Sequence, residues 1–171
     1  AGQEWGERGM DHEGFSGVDG RSTIFDYWTV QAVYQGYFDR SSLGGDQRQL
    51  EADYQQILQL ANEEKALREG ELFDLVYANA PSPCFDPQRQ YAFLRKKDDE
   101  LLIVNVNFSA DQRTTQVRIP AHAFNFFQLG EGEYEGLDLL TGQHRTDRWD
   151  RDGGITLHTP GYGATIVRYK V

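Results

Sequence analysis

The chain has 171 residues, 39 % of them hydrophobic and 13 % aromatic, and carries a formal net charge of −10. That is enough apolar material for one medium-sized core, or for a small domain with an extra segment. The acidic balance repels a nucleic-acid duplex or an anionic membrane surface, and no apolar run approaches the ~20 residues needed to span a bilayer, so neither partner is expected.

Residues 1–43 are rich in Gly, Asp and aromatic side chains and sustain neither a 3.6-residue nor a 2-residue period. The reading is a long functional loop without an apolar core of its own. Its acidic set, Glu4, Glu7, Asp11 and Glu13 with His12 beside it, lacks the spacing of a calcium loop, and no His-x-x-x-His occurs, so no metal site is expected. By charge alone these residues read as a solvated acidic loop. Asp19, Arg21 and Asp26 read as a local ion-pairing set, with Trp28 as an anchor.

Residues 44–70 carry the pattern of an amphipathic helix. Leu50, Tyr54, Ile57, Leu58 and Ala61 fall on one stripe, opposite Gln55, Gln59 and Glu63, and such a stripe must lie on something apolar. Asp46 followed by Gln49 predicts a capping box, and Gly70 predicts a left-handed helix end.

From residue 71 the period becomes that of strands, expected at 72–78, 91–95, 101–107, 114–119, 134–140, 143–147, 155–158 and 164–170. Asp98-Asp99, Thr141-Gly142, Asp152-Gly153-Gly154 and Pro160-Gly161-Tyr162-Gly163 supply turns between them, and Pro120 closes a strand. The basic run Arg95-Lys96-Lys97 also reads as part of a turn, cancelled by Asp98, Asp99 and Glu100. About eight short strands of this kind predict a mainly β chain ending in an antiparallel β-sandwich of Greek-key type.

Cys84, in the Pro-rich connector Ala80-Pro81-Ser82-Pro83-Cys84-Phe85, is the one cysteine. It reads as a half-buried small apolar residue and neither requires nor excludes an oxidising compartment. His122, His144 and His158 read as ordinary strand or turn histidines. Phe124, Phe126 and Phe127 with Trp149 form either a sugar platform or core filling under a long connection; an exposed coplanar pair of rings decides for the platform.

Two segments resemble the alpha-amylase family of glycoside hydrolases. Ala1-Gly2-Gln3-Glu4 is similar to the end of the eighth barrel strand in that family, and Glu13-Gly14-Phe15-Ser16-Gly17-Val18-Asp19-Gly20-Arg21-Ser22-Thr23-Ile24-Phe25-Asp26-Tyr27-Trp28 is similar to the following loop in a bacterial branch of it. The likeness runs through the helix into Gly70-Glu71-Leu72-Phe73-Asp74-Leu75-Val76-Tyr77-Ala78-Asn79. It persists in Leu101-Leu102-Ile103-Val104-Asn105-Val106-Asn107-Phe108 and fades between Gln128 and Gly154.

The resemblance implies a loop after the last barrel strand at 1–43, the last helix of a (β/α)8 barrel at 44–70, and the all-β C-terminal domain at 71–171. A whole barrel of that kind takes ~250 residues. The family's Asp nucleophile, Glu acid/base and further Asp stand on earlier barrel strands and match no position here, so the resemblance implies no catalytic residue in this chain. It implies Glu4 and Trp5 as outer sugar contacts, by hydrogen bonding and stacking, in the intact parent enzyme acting on starch or maltooligosaccharides. No cofactor is implied for the chain, although the parent has room for a structural calcium.

The implied partners are the rest of the barrel and, through it, α-glucan. A homodimer through the helix face and leader, with Phe25, Tyr27 and Trp28 near the stripe, is expected when the barrel is missing. Two other readings stand beside this one: a self-sufficient carbohydrate-binding sandwich, and an unrelated β-sandwich interaction domain whose acidic leader docks a basic partner.

Overall fold

A computed structural model describes residues 2–7 and 31–171. The chain divides into two compact units, Ala1–Gln59 and Leu60–Val171.

In the first unit a 3₁₀ turn at Gln3–Trp5 is flanked by Gly2 and Gly6 at φ 81° and 71°. Helix α1 spans Gln31–Tyr37, a second 3₁₀ turn spans Arg40–Ser42, and helix α2 begins at Gly45 and runs to Glu63. Contrary to the expectation of a coreless loop, Trp5, Ala32, Val33 and Leu43 form a small buried cluster. The members come from segments about thirty residues apart, so no local period announces them. Gly36 is required there, because a Cβ at that position would lie 2.4 Å from the Trp5 ring.

The helix expected over 44–70 is interrupted. Glu64 leaves the helical region at φ −75°, ψ 117°, and α3 follows at Lys65–Glu69. The expected capping box does not form: the Gln49 amide donates to Asp53 Oδ1 at 2.9 Å, while the Gly44 N–H donates to Gln47 Oε1. Gly70 is not left-handed but extended, at φ −74° and ψ 152°. Glycine is needed for closeness instead, since a Cβ would stand 2.3 Å from the Ala66 carbonyl oxygen and 2.9 Å from that of Lys96.

The second unit is an all-antiparallel β structure. Its strands are β1 (Glu71–Asp74), β2 (Gln90–Lys97), β3 (Glu100–Asn107), β4 (Arg113–Arg118), β5 (Gly132–Asp138), β6 (His144–Trp149), β7 (Gly154–Thr159) and β8 (Gly163–Lys170), with short helices α4 (Val76–Asn79) and α5 (Ala121–Phe127). A six-stranded sheet of order β1-β2-β3-β8-β5-β6 faces a two-stranded sheet of β4 and β7. The strand expected over 72–78 stops at Asp74, whose carboxylate accepts the Val76 N–H at 2.7 Å and starts α4. Arg95, Lys96 and Lys97 belong to β2, opposite Leu102, Leu101 and Glu100, and the turn is left to Asp98 at φ 51° and Asp99.

The core lies between the sheets. Leu94, Ile103 and Val167 form one row across β2, β3 and β8 and meet Val117, Ile155 and Leu157 of the small sheet, with Phe124 and Phe127 of α5 closing one side. The next row, Phe93, Val104 and Ile166, faces outward, where Ala66 of α3 and Leu102 complete a second apolar cluster. Strand β3 is therefore covered on both faces, and its first half, Leu101-Leu102-Ile103-Val104, reads as an unbroken apolar run in sequence. Glu64 closes the α3 end with a carboxylate, 6 % exposed, bonded to Arg168 at 2.9 and 3.1 Å. Cys84 is exposed rather than half-buried.

Candidate functional site

Glu4 and Trp5 sit together on the 3₁₀ turn, where the N–H groups of Trp5 and Glu7 both donate to the Gly2 carbonyl at 3.0 Å. Glu4 is half-buried. Trp5 is 4 % exposed, and Tyr37 meets its ring edge-on at 4.8 Å. In this structure the indole is thus a core residue and not a stacking surface, which leaves Glu4 as the member of the pair with solvent-facing area. The turn is anchored to α2 by Gln47, whose amide donates to the Trp5 carbonyl at 3.4 Å.

Beside it, Arg40 donates to both Glu51 carboxylate oxygens at 3.0 and 2.5 Å and to the Gly36 carbonyl at 2.9 Å. The guanidinium holds the Glu51 carboxyl below its ordinary range. Arg48 donates to the carbonyls of Arg40 and Leu43, tying the second 3₁₀ turn to the helix. Asp11, His12, Glu13, Asp19, Arg21, Phe25, Asp26, Tyr27 and Trp28 lie outside the described residues.

In the second unit the aromatic group divides. Phe124, Phe127 and Trp149 are core, at 0 %, 6 % and 1 % exposure, whereas Phe126 stands 46 % exposed. The spacing of the four rings in sequence does not separate them; the seven-residue helix α5 does, by turning Phe126 away from its neighbours. Trp149 meets Tyr169 edge-on at 5.0 Å. The Tyr169 hydroxyl donates to Asp147 at 2.6 Å, and Arg145 clamps the same carboxylate at 2.5 and 2.6 Å. Burial, with Asp147 adding to it, pushes the Tyr169 phenol well above its usual range. The group is locked in its protonated form and serves packing.

The three histidines placed by the structure are exposed. His122 lies edge-on to Phe73 at 5.2 Å, and His158 Nδ1 is 2.9 Å from the Thr114 hydroxyl. Among the described residues no group of three or more His, Cys, Asp or Glu side chains is placed to hold a metal ion.

Sequence reasoning missed a buried polar set at one end of the sandwich: Gln90, Asn105, Asn107, Ser109, Thr115, Thr159 and Thr165. Gln90 donates to Thr115 at 2.6 Å, Asn105 to Thr159 at 2.8 Å, and Asn107 to the carbonyls of Asp111 and Pro160 at 2.8 and 3.0 Å. Asn105 Oδ1 is buried with no hydrogen bond. The signal was present as two asparagines alternating with valine at the end of an apolar strand. None of these groups titrates near neutral pH, so the set cannot do acid–base work. It pins the β3–β4 and β7–β8 loops to each other.

No family model and no curated protein matches the chain. Solved structures do. AmyP in complex with maltose is 23 % identical with a TM-score of 0.51, over 74 % of this chain and 22 % of that one. A variant of AmyP in complex with maltotriose is 24 % identical with a TM-score of 0.52, over the same shares of 74 % and 22 %. The alpha-amylase from Geobacillus thermoleovorans complexed with acarbose is 17 % identical with a TM-score of 0.51, over 76 % of this chain and 24 % of that one. The chain thus spans less than a quarter of the length of these structures, 22–24 %, and at such identities the likeness is one of fold. This chain is similar in fold to a part of alpha-amylase-type enzymes.

Proposed function

We propose that the chain is the non-catalytic C-terminal region of an alpha-amylase-type glycoside hydrolase acting on α-glucans. The observation that carries this is the unequal coverage: about three quarters of this chain superposes on 22–24 % of alpha-amylase-type structures in complex with maltose, maltotriose and acarbose. Retaining cleavage of a glycoside needs two carboxylates held ~5 Å apart on a rigid scaffold. In the family that scaffold is the barrel, and residues 71–171 supply the sandwich that follows it. The role assigned to the sandwich is to stabilise the barrel, with residues 44–70 as the connecting helix. Glu4 is assigned an outer hydrogen-bonding contact to sugar in the parent, and Trp5 the task of fixing the turn that carries it.

Deleting residues 71–171 from the complete enzyme tests the role. The expected result is a lowered thermal midpoint, with starch cleavage per folded molecule retained. Loss of cleavage in a deletion variant that is still folded at the assay temperature contradicts a purely stabilising part.

A further inference from the structure

Two surface grooves of the β unit have the same volume, about 380 Å³, and different linings. One is lined by Asn79, Gln116, Arg118, Asp152 and neighbouring small residues. Three of its polar side chains are satisfied among themselves: Asn79 bonds the Leu75 and Arg118 carbonyls and accepts the Arg118 N–H, and Arg118 pairs with Asp152 at 2.9 Å. It offers a ligand no ring to stack on.

The other groove lies where the end of β2, the start of β1 and the end of α5 meet, lined by Glu69, Glu71, Lys96, Lys97, Asp98, Phe126, Phe127 and Gln128. Carboxylates and ammonium groups share the lining, and Lys65 and Arg68 pair with two of the carboxylates, so the groove carries no strong field of either sign and suits a neutral ligand. Lys96, Asp98 and Glu69 are already engaged, with the Asp98 carbonyl, Lys65 and Arg68 respectively. The side chains of Glu71, Lys97 and Gln128 make no hydrogen bond among the described residues, which leaves an acceptor, a donor and an amide able to do both. Phe126 presents an exposed ring at the same place, held from below by Phe127 at 4.8 Å and Phe73 at 5.5 Å.

A neutral molecule with an apolar face and a rim of hydroxyls that both donate and accept matches this lining. That is the surface of a pyranose ring. We infer that this groove binds a maltooligosaccharide, with one glucosyl ring stacked on Phe126 and its hydroxyls bonded to Lys97, Glu71 and Gln128. The choice of an α-glucan over other neutral sugars rests on the function proposed above; the choice of a neutral sugar rests on the groove.

The test is a titration of the 171-residue chain with maltoheptaose and, separately, cellohexaose, followed by amide shifts in two-dimensional NMR. Maltoheptaose is expected to move the amides of Lys97, Phe126 and Gln128 saturably. Phe126→Ala should weaken binding about five- to tenfold, the worth of one aromatic contact, while Phe126→Tyr keeps it. Because Phe126 also leans on Phe73, Lys97→Met serves as a second variant that leaves the core intact, and it too should weaken binding. Shifts with neither sugar, or shifts at other residues, overturn the groove as a sugar site and leave the proposed function standing. Shifts with cellohexaose and none with maltoheptaose overturn the inference and the α-glucan reading of the parent together.

Discussion

At Gly36 the Cβ of any other residue would fall 2.4 Å from the Trp5 ring, too close for a side chain that cannot retreat. Gly36→Ala should therefore force the indole out of its cluster and destabilise the first unit by roughly 1–3 kcal/mol, the usual range for an overpacked core. Urea unfolding followed by tryptophan fluorescence reads this; an unchanged midpoint contradicts the packing described. Charged residues give a pH signature of their own. Glu51 and Asp98 are held below their ordinary values of 4.5 and 3.8, chiefly by hydrogen bonds from Arg40 and Lys65. A carboxyl with a depressed folded value contributes stability above its unfolded value and loses it as pH falls through the folded one. The urea midpoint should drop below about pH 4, and Glu51→Gln should flatten part of that acid limb. Tyr169 gives the opposite limb. Its folded value is raised above the ordinary 10.0, so the unfolded chain ionises first and stability falls as pH rises past that point; Tyr169→Phe should remove this alkaline loss. Single residues were the least legible scale. Trp5 was given a stacking role by the resemblance alone, and its burial depends on Ala32, Val33 and Leu43, a relation with no trace in any local window.

Elements were more legible where one face was buried and the chain alternated. The strand expected at 155–158 is found at Gly154–Thr159 because side-chain period and sheet pleat coincide, whereas the one expected at 101–107, found at Glu100–Asn107, was legible as an apolar run buried on both faces. Helix ends were not. Asp46, Gln49 and Gly70 fit the composition of caps, yet the first two bond elsewhere or not at all as a box, and Gly70 is kept by the closeness of two carbonyl oxygens. The break at Glu64 is a tertiary decision, since its carboxylate is spent on Arg168 of β8, more than a hundred residues away. Glu64→Gln should cost more than the ~1 kcal/mol of an exposed pair and less than the ~3–5 kcal/mol of a fully buried one, because Arg168 keeps 35 % of its side chain in water. Thermal denaturation of the variant checks this, and no loss at all contradicts a structural role for the pair. On the stripe of α2, Ile57 and Leu58 are 44 % and 59 % exposed.

For the whole molecule, the sandwich was legible from turns and alternation, and the resemblance to alpha-amylase-type enzymes from motifs along the chain. The two-unit division was not, because it falls inside the helical pattern. Residues 60–171 contain both apolar clusters of the β unit and should fold without residues 1–59, giving dispersed amide spectra and cooperative unfolding. A molten spectrum for that piece contradicts the division. The central proposal, that this chain, similar in fold to part of alpha-amylase-type enzymes, lacks their cleavage machinery, is tested most directly by assaying the purified 171-residue chain for reducing-sugar release from soluble starch. The account predicts release no greater than a buffer blank; release above the blank that disappears in Glu4→Gln contradicts it.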